Sequence, residues 1–124
     1  MRNVKLDAIE LERRRPVWLA MSELFLDTQL DDCEYERIAN VLYESQYSRE
    51  QLRHILRDEV GSACVFNMLC VAGVWDGFDP VWLEAMILRR RLPGMRYLWG
   101  ALAMRLIRPD WERVAALLDR LRKD

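Results

Sequence analysis

The chain is short of the residues that most catalytic and metal sites need, with one histidine and three cysteines in 124 residues. A Ser-His-Asp or Cys-His set would have to use His54, and nothing near it in sequence suggests a group to orient the ring. Zinc would need three or four ligands from that one histidine and from Cys33, Cys64 and Cys70, which are irregularly spaced and form no paired motif. Those thiols read as buried and reduced, which suits a reducing compartment. Neither G-x-x-x-x-G-K-[ST] nor G-x-G-x-x-G occurs, so no phosphate cradle is signalled. The calcium-loop pattern D-x-D-x-D-G is missing as well. No metal and no cofactor is therefore expected. Glycine and proline are scarce, at five and four residues, which argues against long irregular loops. The opening MRNVKLDAIELE has no apolar core of a signal peptide. The most apolar stretch, MRYLWGALAMRLI, carries Arg96 and Arg105 and is too short to span a bilayer. The expectation is a cytoplasmic protein with no membrane span.

A strongly basic balance is also missing. The formal net charge is −1, but the two halves differ. Residues 1–62 hold 9 basic and 13 acidic groups, a balance of −4; residues 63–124 hold 10 and 7, a balance of +3. Such asymmetry can steer a charged partner. It is unlike the basic composition of a dedicated nucleic-acid binder. Only two of the 19 basic residues are lysine, and the arginine excess suits interface ion pairs.

What the chain does have is helix. Leu, Arg, Glu, Ala and Met dominate, and more than half of all residues are hydrophobic, enough for one real core. Apolar residues recur at helical spacing in seven stripes. They fall on Val17, Met21 and Leu24; on Tyr35, Ile38, Val41 and Leu42; on Leu52, Ile55 and Leu56; and on Val65, Phe66, Leu69 and Cys70. Three more fall on Trp82, Leu83, Met86 and Ile87; on Leu98, Trp99, Leu102, Ala103 and Leu106; and on Val114, Leu117, Leu118 and Leu121. The sixth is apolar nearly all round, which suggests a central buried helix. Ser48 with Gln51 forms a capping box, Asp79-Pro80 starts a helix, Pro93-Gly94 breaks one, and Pro109-Asp110 starts the last. Pro16 either begins the first main helix or kinks a longer one. No segment alternates with period two. The predicted fold is a single all-α domain over residues 1–124, a compact orthogonal bundle of six or seven short helices.

Three features are candidates for function. Asp27, Asp31, Asp32, Glu34 and Glu36 cluster in ten residues, with Glu23 just before them. Asp31 or Asp32 can cap a helix, with Glu34 close behind, so capping accounts for part of the cluster. The rest forms an acidic patch for a partner. The triplets Arg13-Arg14-Arg15 and Arg89-Arg90-Arg91 could meet phosphates, with the second and third helices as a helix-turn-helix. The would-be recognition helix, however, carries Glu50, Asp58 and Glu59, which repel a phosphate backbone. In AGVWDGFDPVW, residues 72–82, Asp76-Gly77 marks a turn between Trp75 and Phe78. These rings either plug the end of the bundle or, if exposed, anchor a partner.

The stretches RRRPVWLAMSELFLDTQL and VAGVWDGF resemble a family of small, uncharacterised bacterial helical proteins. Its members share an Arg-Arg-x-x-Trp opening, a Ser-x-Leu-Phe-Leu-Asp-Thr segment and a Val-Trp-x-Gly-Phe loop. The resemblance covers most of the chain. It implies an all-helical fold and carries no established activity, so it assigns no catalytic residue. By build, the chain looks like immunity or antitoxin proteins. The functional expectation is a non-enzymatic module that binds and neutralises a protein partner, a toxin with a basic surface. The contact residues would be Glu23, Asp27, Asp31, Asp32, Glu36, Trp75 and Phe78. A helix-turn-helix regulator of nucleic acid is the second reading and an enzyme the third.

Overall fold

The computed structural model describes residues 7–26, 30–69, 77–89 and 95–123. Asp27-Thr28, Cys70, Trp75-Asp76, Arg90-Arg91 and Pro93-Gly94 lie outside them. Among the described residues seven α-helices follow one another: α1 (Ala8–Ser22), α2 (Asp32–Ser45), α3 (Arg49–His54), α4 (Ser62–Leu69), α5 (Pro80–Arg89), α6 (Met95–Leu106) and α7 (Arg108–Lys123). A 3-10 turn, Glu23–Phe25, prolongs α1, and a π-helical segment, Ile55–Gly61, joins α3 to α4. There is no strand among the described residues, and the all-α expectation holds.

The helix starts follow from their caps. Asp31 accepts from the Glu34 amide at 2.9 Å while the Glu34 carboxylate accepts from the Asp31 amide at 3.2 Å. Ser48 and Gln51 repeat this capping box at α3. At α5 the Asp79 carboxylate accepts from the Trp82 amide at 2.9 Å, and Pro80 fills the first helical position, where no amide partner is needed. Asp7 caps α1 in the same way. Pro16 does not begin α1 but sits inside it. Gln46 ends α2 in the left-handed conformation, at φ 64°.

Two expectations change. The third and fourth stripes are one helical run, Arg49 to Leu69, with the π segment in the middle. No Gly-Pro break separates them, so the chain continues by widening a turn. The sixth stripe is not buried all round. Leu98 is 65% exposed and Leu106 reaches the surface, whereas Gly100, Ala103 and Ile107 are buried. The buried face is the one with small side chains, because α6 crosses the π segment backbone to backbone. A Cβ at Gly100 would lie 2.4 Å from the Arg57 carbonyl oxygen, and one at Gly61 would lie 2.9 Å from the Ala103 Cβ.

One core cluster draws on all seven helices. Trp18, Met21 and Phe25 meet Ile38, Leu42, Leu52, Leu56, Leu83, Ile87, Ile107 and Leu118, all fully buried. The last helix contributes Trp111, Val114, Ala115 and Leu118 from one face. Each large apolar side chain removed from water contributes about 1.5–3 kcal/mol, so α7 is held by packing rather than by propensity.

Candidate functional site

Helix α1 uses two of its faces for different work. Glu10, Arg14 and Trp18 recur every four residues and so share a face that meets the π segment. Glu59 projects from that segment with a side chain only 11% exposed. Arg14 Nη1 donates to Glu59 Oε2 at 2.5 Å, and Trp18 Nε1 donates to Glu59 Oε1 at 2.7 Å. Arg14 Nε also donates to Glu10 Oε2 at 2.9 Å and to Tyr47 Oη at 3.3 Å. The Tyr47 hydroxyl donates to Glu10 at 2.5 Å. This bond holds the Glu10 carboxyl below its ordinary 4.5, and burial with the same bond pushes the Tyr47 hydroxyl above its ordinary 10. A buried carboxylate is tolerated only when paired and hydrogen-bonded, and here both of its oxygens are.

The first arginine triplet divides three ways. Arg13 lies over the Tyr47 ring at 4.0 Å and donates to the Ser45 carbonyl at 3.0 Å. Arg14 enters the buried network. Arg15 turns to the other side and grips Glu84 of α5 through two bonds, at 2.6 and 3.3 Å. That grip holds the Glu84 carboxyl below its ordinary value. Consecutive helical residues point about 100° apart, so one triplet can serve three neighbours.

Beside the Arg15–Glu84 bridge runs a groove between α1 and α5 with a volume of about 660 Å³. Pro16, Trp18, Leu19, Pro80, Val81 and Leu83 supply its apolar lining, and Glu12, Arg15 and Glu84 its charges. The volume falls in the range of ligand-binding clefts, roughly 300–1,000 Å³. The two helices that form it also expose large apolar side chains. Ile9 and Val81 are each 77% exposed, and Leu19, Trp82 and Leu88 are also exposed. Helical spacing puts Ile9, Glu12, Pro16 and Leu19 on one stripe of α1, and Val81, Glu84 and Leu88 on one stripe of α5. Single exposed apolar residues need no explanation, but two facing stripes do.

The acidic residues of the sequence expectation lie elsewhere. Glu23 pairs with Arg37, Asp32 pairs with Arg113, and Asp31 caps α2. The Glu36 carboxylate is exposed and makes no bond among the described residues; it borders a smaller cleft of about 300 Å³ with Asn40 and Arg120. Arg113 also stacks over Tyr35 at 5.1 Å, and the Tyr35 hydroxyl donates to Asp110. Burial, then that bond, pushes Tyr35 up to about 12. Asp27 and Trp75 lie outside the described residues. Phe78 is buried, at 8% exposed, and stacks on Trp82 with centroids 5.7 Å apart and planes within 10°. Trp82 is the ring of that pair that reaches solvent, and Phe78 is covered.

Sequence reasoning missed the groove and the Glu59 network. The signal for Glu59 was present, because it follows Ile55 by four and Leu56 by three, inside an apolar stripe. The groove gave no such signal, since its two walls are sixty residues apart. His54 is exposed and faces Asp58 at 3.3 Å. Cys33 is exposed and Cys64 buried, its thiol pushed up to about 12 by burial. No cluster of three or more metal-ligating side chains occurs among the described residues, and no helix among them is long and apolar enough to cross a membrane.

In a comparison with known families, a family model described as a domain of unknown function, DUF7079, aligns with residues 12–117. No curated protein and no solved structure matches the chain.

Proposed function

We propose that the chain, which belongs to the DUF7079 family, works by stoichiometric binding of another protein and not by catalysis. The observation that carries this reading is the α1–α5 groove with its two exposed apolar stripes. Apolar surface of this kind is what a protein interface covers. In its finer form the proposal is an immunity-type protein that covers the active site of a bacterial toxin. The small helical build and the −4 balance of residues 1–62 favour that form. Glu36, exposed on the acidic side, would speed encounter with a basic toxin, while the groove would hold it.

The test is capture of the native partner on the tagged chain, followed by quantitative binding. Val81→Glu combined with Leu19→Glu places two charges in the groove without touching the core. Loss of the captured partner, with the helical dichroism unchanged, is the expected result. A partner retained at undiminished affinity would move the binding surface elsewhere. Neutralisation of that partner's toxicity tests the finer form separately.

A further inference from the structure

We propose that the groove receives a short amphipathic α-helix of the partner, with apolar residues against the two stripes and a lysine or arginine against Glu12. This rests on the protein-binding reading above and names the chemistry of the partner. Both walls are α-helices, whose main-chain groups are paired within α1 and α5 apart from the helix ends and the Glu12 carbonyl, which Pro16 leaves without its i+4 amide. An extended peptide would bring unpaired N–H and C=O groups into an apolar cleft and find no sheet edge to bond. A helix satisfies its own backbone and presents only side chains. Ile9 to Leu19 spans about 15 Å of α1, and Val81 to Leu88 about 10 Å of α5. Two or three turns of a docked helix match that length, with anchors at the usual spacing of i, i+3 or i+4, and i+7.

The charged side chains of the groove are Glu12, Arg15 and Glu84, a sum of −1. Arg15 and Glu84 satisfy each other through two bonds, which leaves the Glu12 carboxylate with no hydrogen bond or ion pair among the described residues. Glu12 stands on the same stripe as Ile9, Pro16 and Leu19, so an occupant that covers the stripe also meets this carboxylate. A cation there gains a partner. An anion there is repelled, which selects against acidic helices.

The experiment uses the full chain and two synthetic helical peptides of about 14 residues. Both carry leucine at the anchor spacing; one has lysine at every other position and the second has glutamate. The Leu/Lys peptide should bind the native chain about tenfold or more tighter than the Leu/Glu peptide. Val81→Glu should weaken the Leu/Lys peptide by about tenfold or more, although it makes the protein more acidic. Glu12→Lys should reverse the preference between the peptides. Binding that is unchanged or tighter in V81E would mean plain charge attraction and overturn the proposal. So would equal affinity for both peptides, or no binding of either. Sedimentation of the free protein covers the remaining occupant: a dimer dissolved by V81E would give the groove to a second copy of the chain. Each of these failures leaves the partner-capture result standing, so the two readings fail separately.

Discussion

Removing Arg14 should destabilise the fold more than removing Glu59, although the two residues form one ion pair. Glu59 has a single cation among the described residues, Arg14, and one other donor, the Trp18 indole. In Arg14→Leu its carboxylate stays buried with the indole bond alone. Breaking a buried pair in this way costs about 3–5 kcal/mol. In Glu59→Leu the guanidinium keeps Glu10 and Tyr47, and its side chain is 20% exposed to water. What is then left unsatisfied is mainly the Trp18 N–H, at about 1–3 kcal/mol. The double substitution removes both charges and should cost less than the sum of the singles. Urea unfolding measures all three. With a slope of about 2 kcal/mol per molar, a 3 kcal/mol loss moves the midpoint by about 1.5 M. If Glu59→Leu proves the more damaging single, or if the singles simply add, the network does not hold the carboxylate as described.

The structure makes other expectations. Gly100→Ala should destabilise by about 1–3 kcal/mol or block folding, because its Cβ would meet the Arg57 carbonyl oxygen at 2.4 Å; thermal melting reads this directly. Glu10 and Glu84 have lowered carboxyl pKa values, so their stabilising contribution is complete above their ordinary value of 4.5 and lost as pH falls through the folded values. Urea midpoints should therefore fall with pH below about 5, and Glu10→Gln should flatten that fall; an equal slope in E10Q would count against the Tyr47–Glu10 bond. Cys33 should react with a thiol reagent in the native state and Cys64 only after unfolding, as mass mapping of the labelled peptides would show.

Local structure was legible in the sequence where it rests on local chemistry. The Ser48–Gln51 capping box and the Asp79-Pro80 start appear in the structure as read, and of the two caps the sequence offered for α2, Asp31 or Asp32, the structure uses Asp31, boxed with Glu34. The junction of α3 and α4 was not legible. A π turn changes the periodicity by about one residue and leaves the apolar stripe on both sides intact. Burial of α6 was misjudged for a related reason. Hydrophobicity marks a face as apolar, but the small residues Gly100 and Ala103 decide which face can approach another backbone. Tertiary pairing was the least legible, since Arg14 and Glu59 are 45 residues apart and Arg15 and Glu84 are 69 apart.

In sequence, the acidic cluster and the first arginine triplet are the conspicuous patches. In the fold, most of that charge is satisfied from within. Asp31 closes a cap, Glu23 and Asp32 hold arginines, and Arg13, Arg14 and Arg15 each have a separate internal destination. An ion already paired has less to offer a partner, because a new bond must displace the old one. The groove is the reverse case. Ile9, Leu19, Val81 and Leu88 are scattered in sequence and signal nothing there, yet the fold sets them on one stripe of each helix that forms the groove, with a carboxylate, Glu12, that makes no ion pair among the described residues. Surface that the fold assembles and does not itself use is the stronger pointer to a partner, and on this chain it is the apolar groove more than the charge clusters.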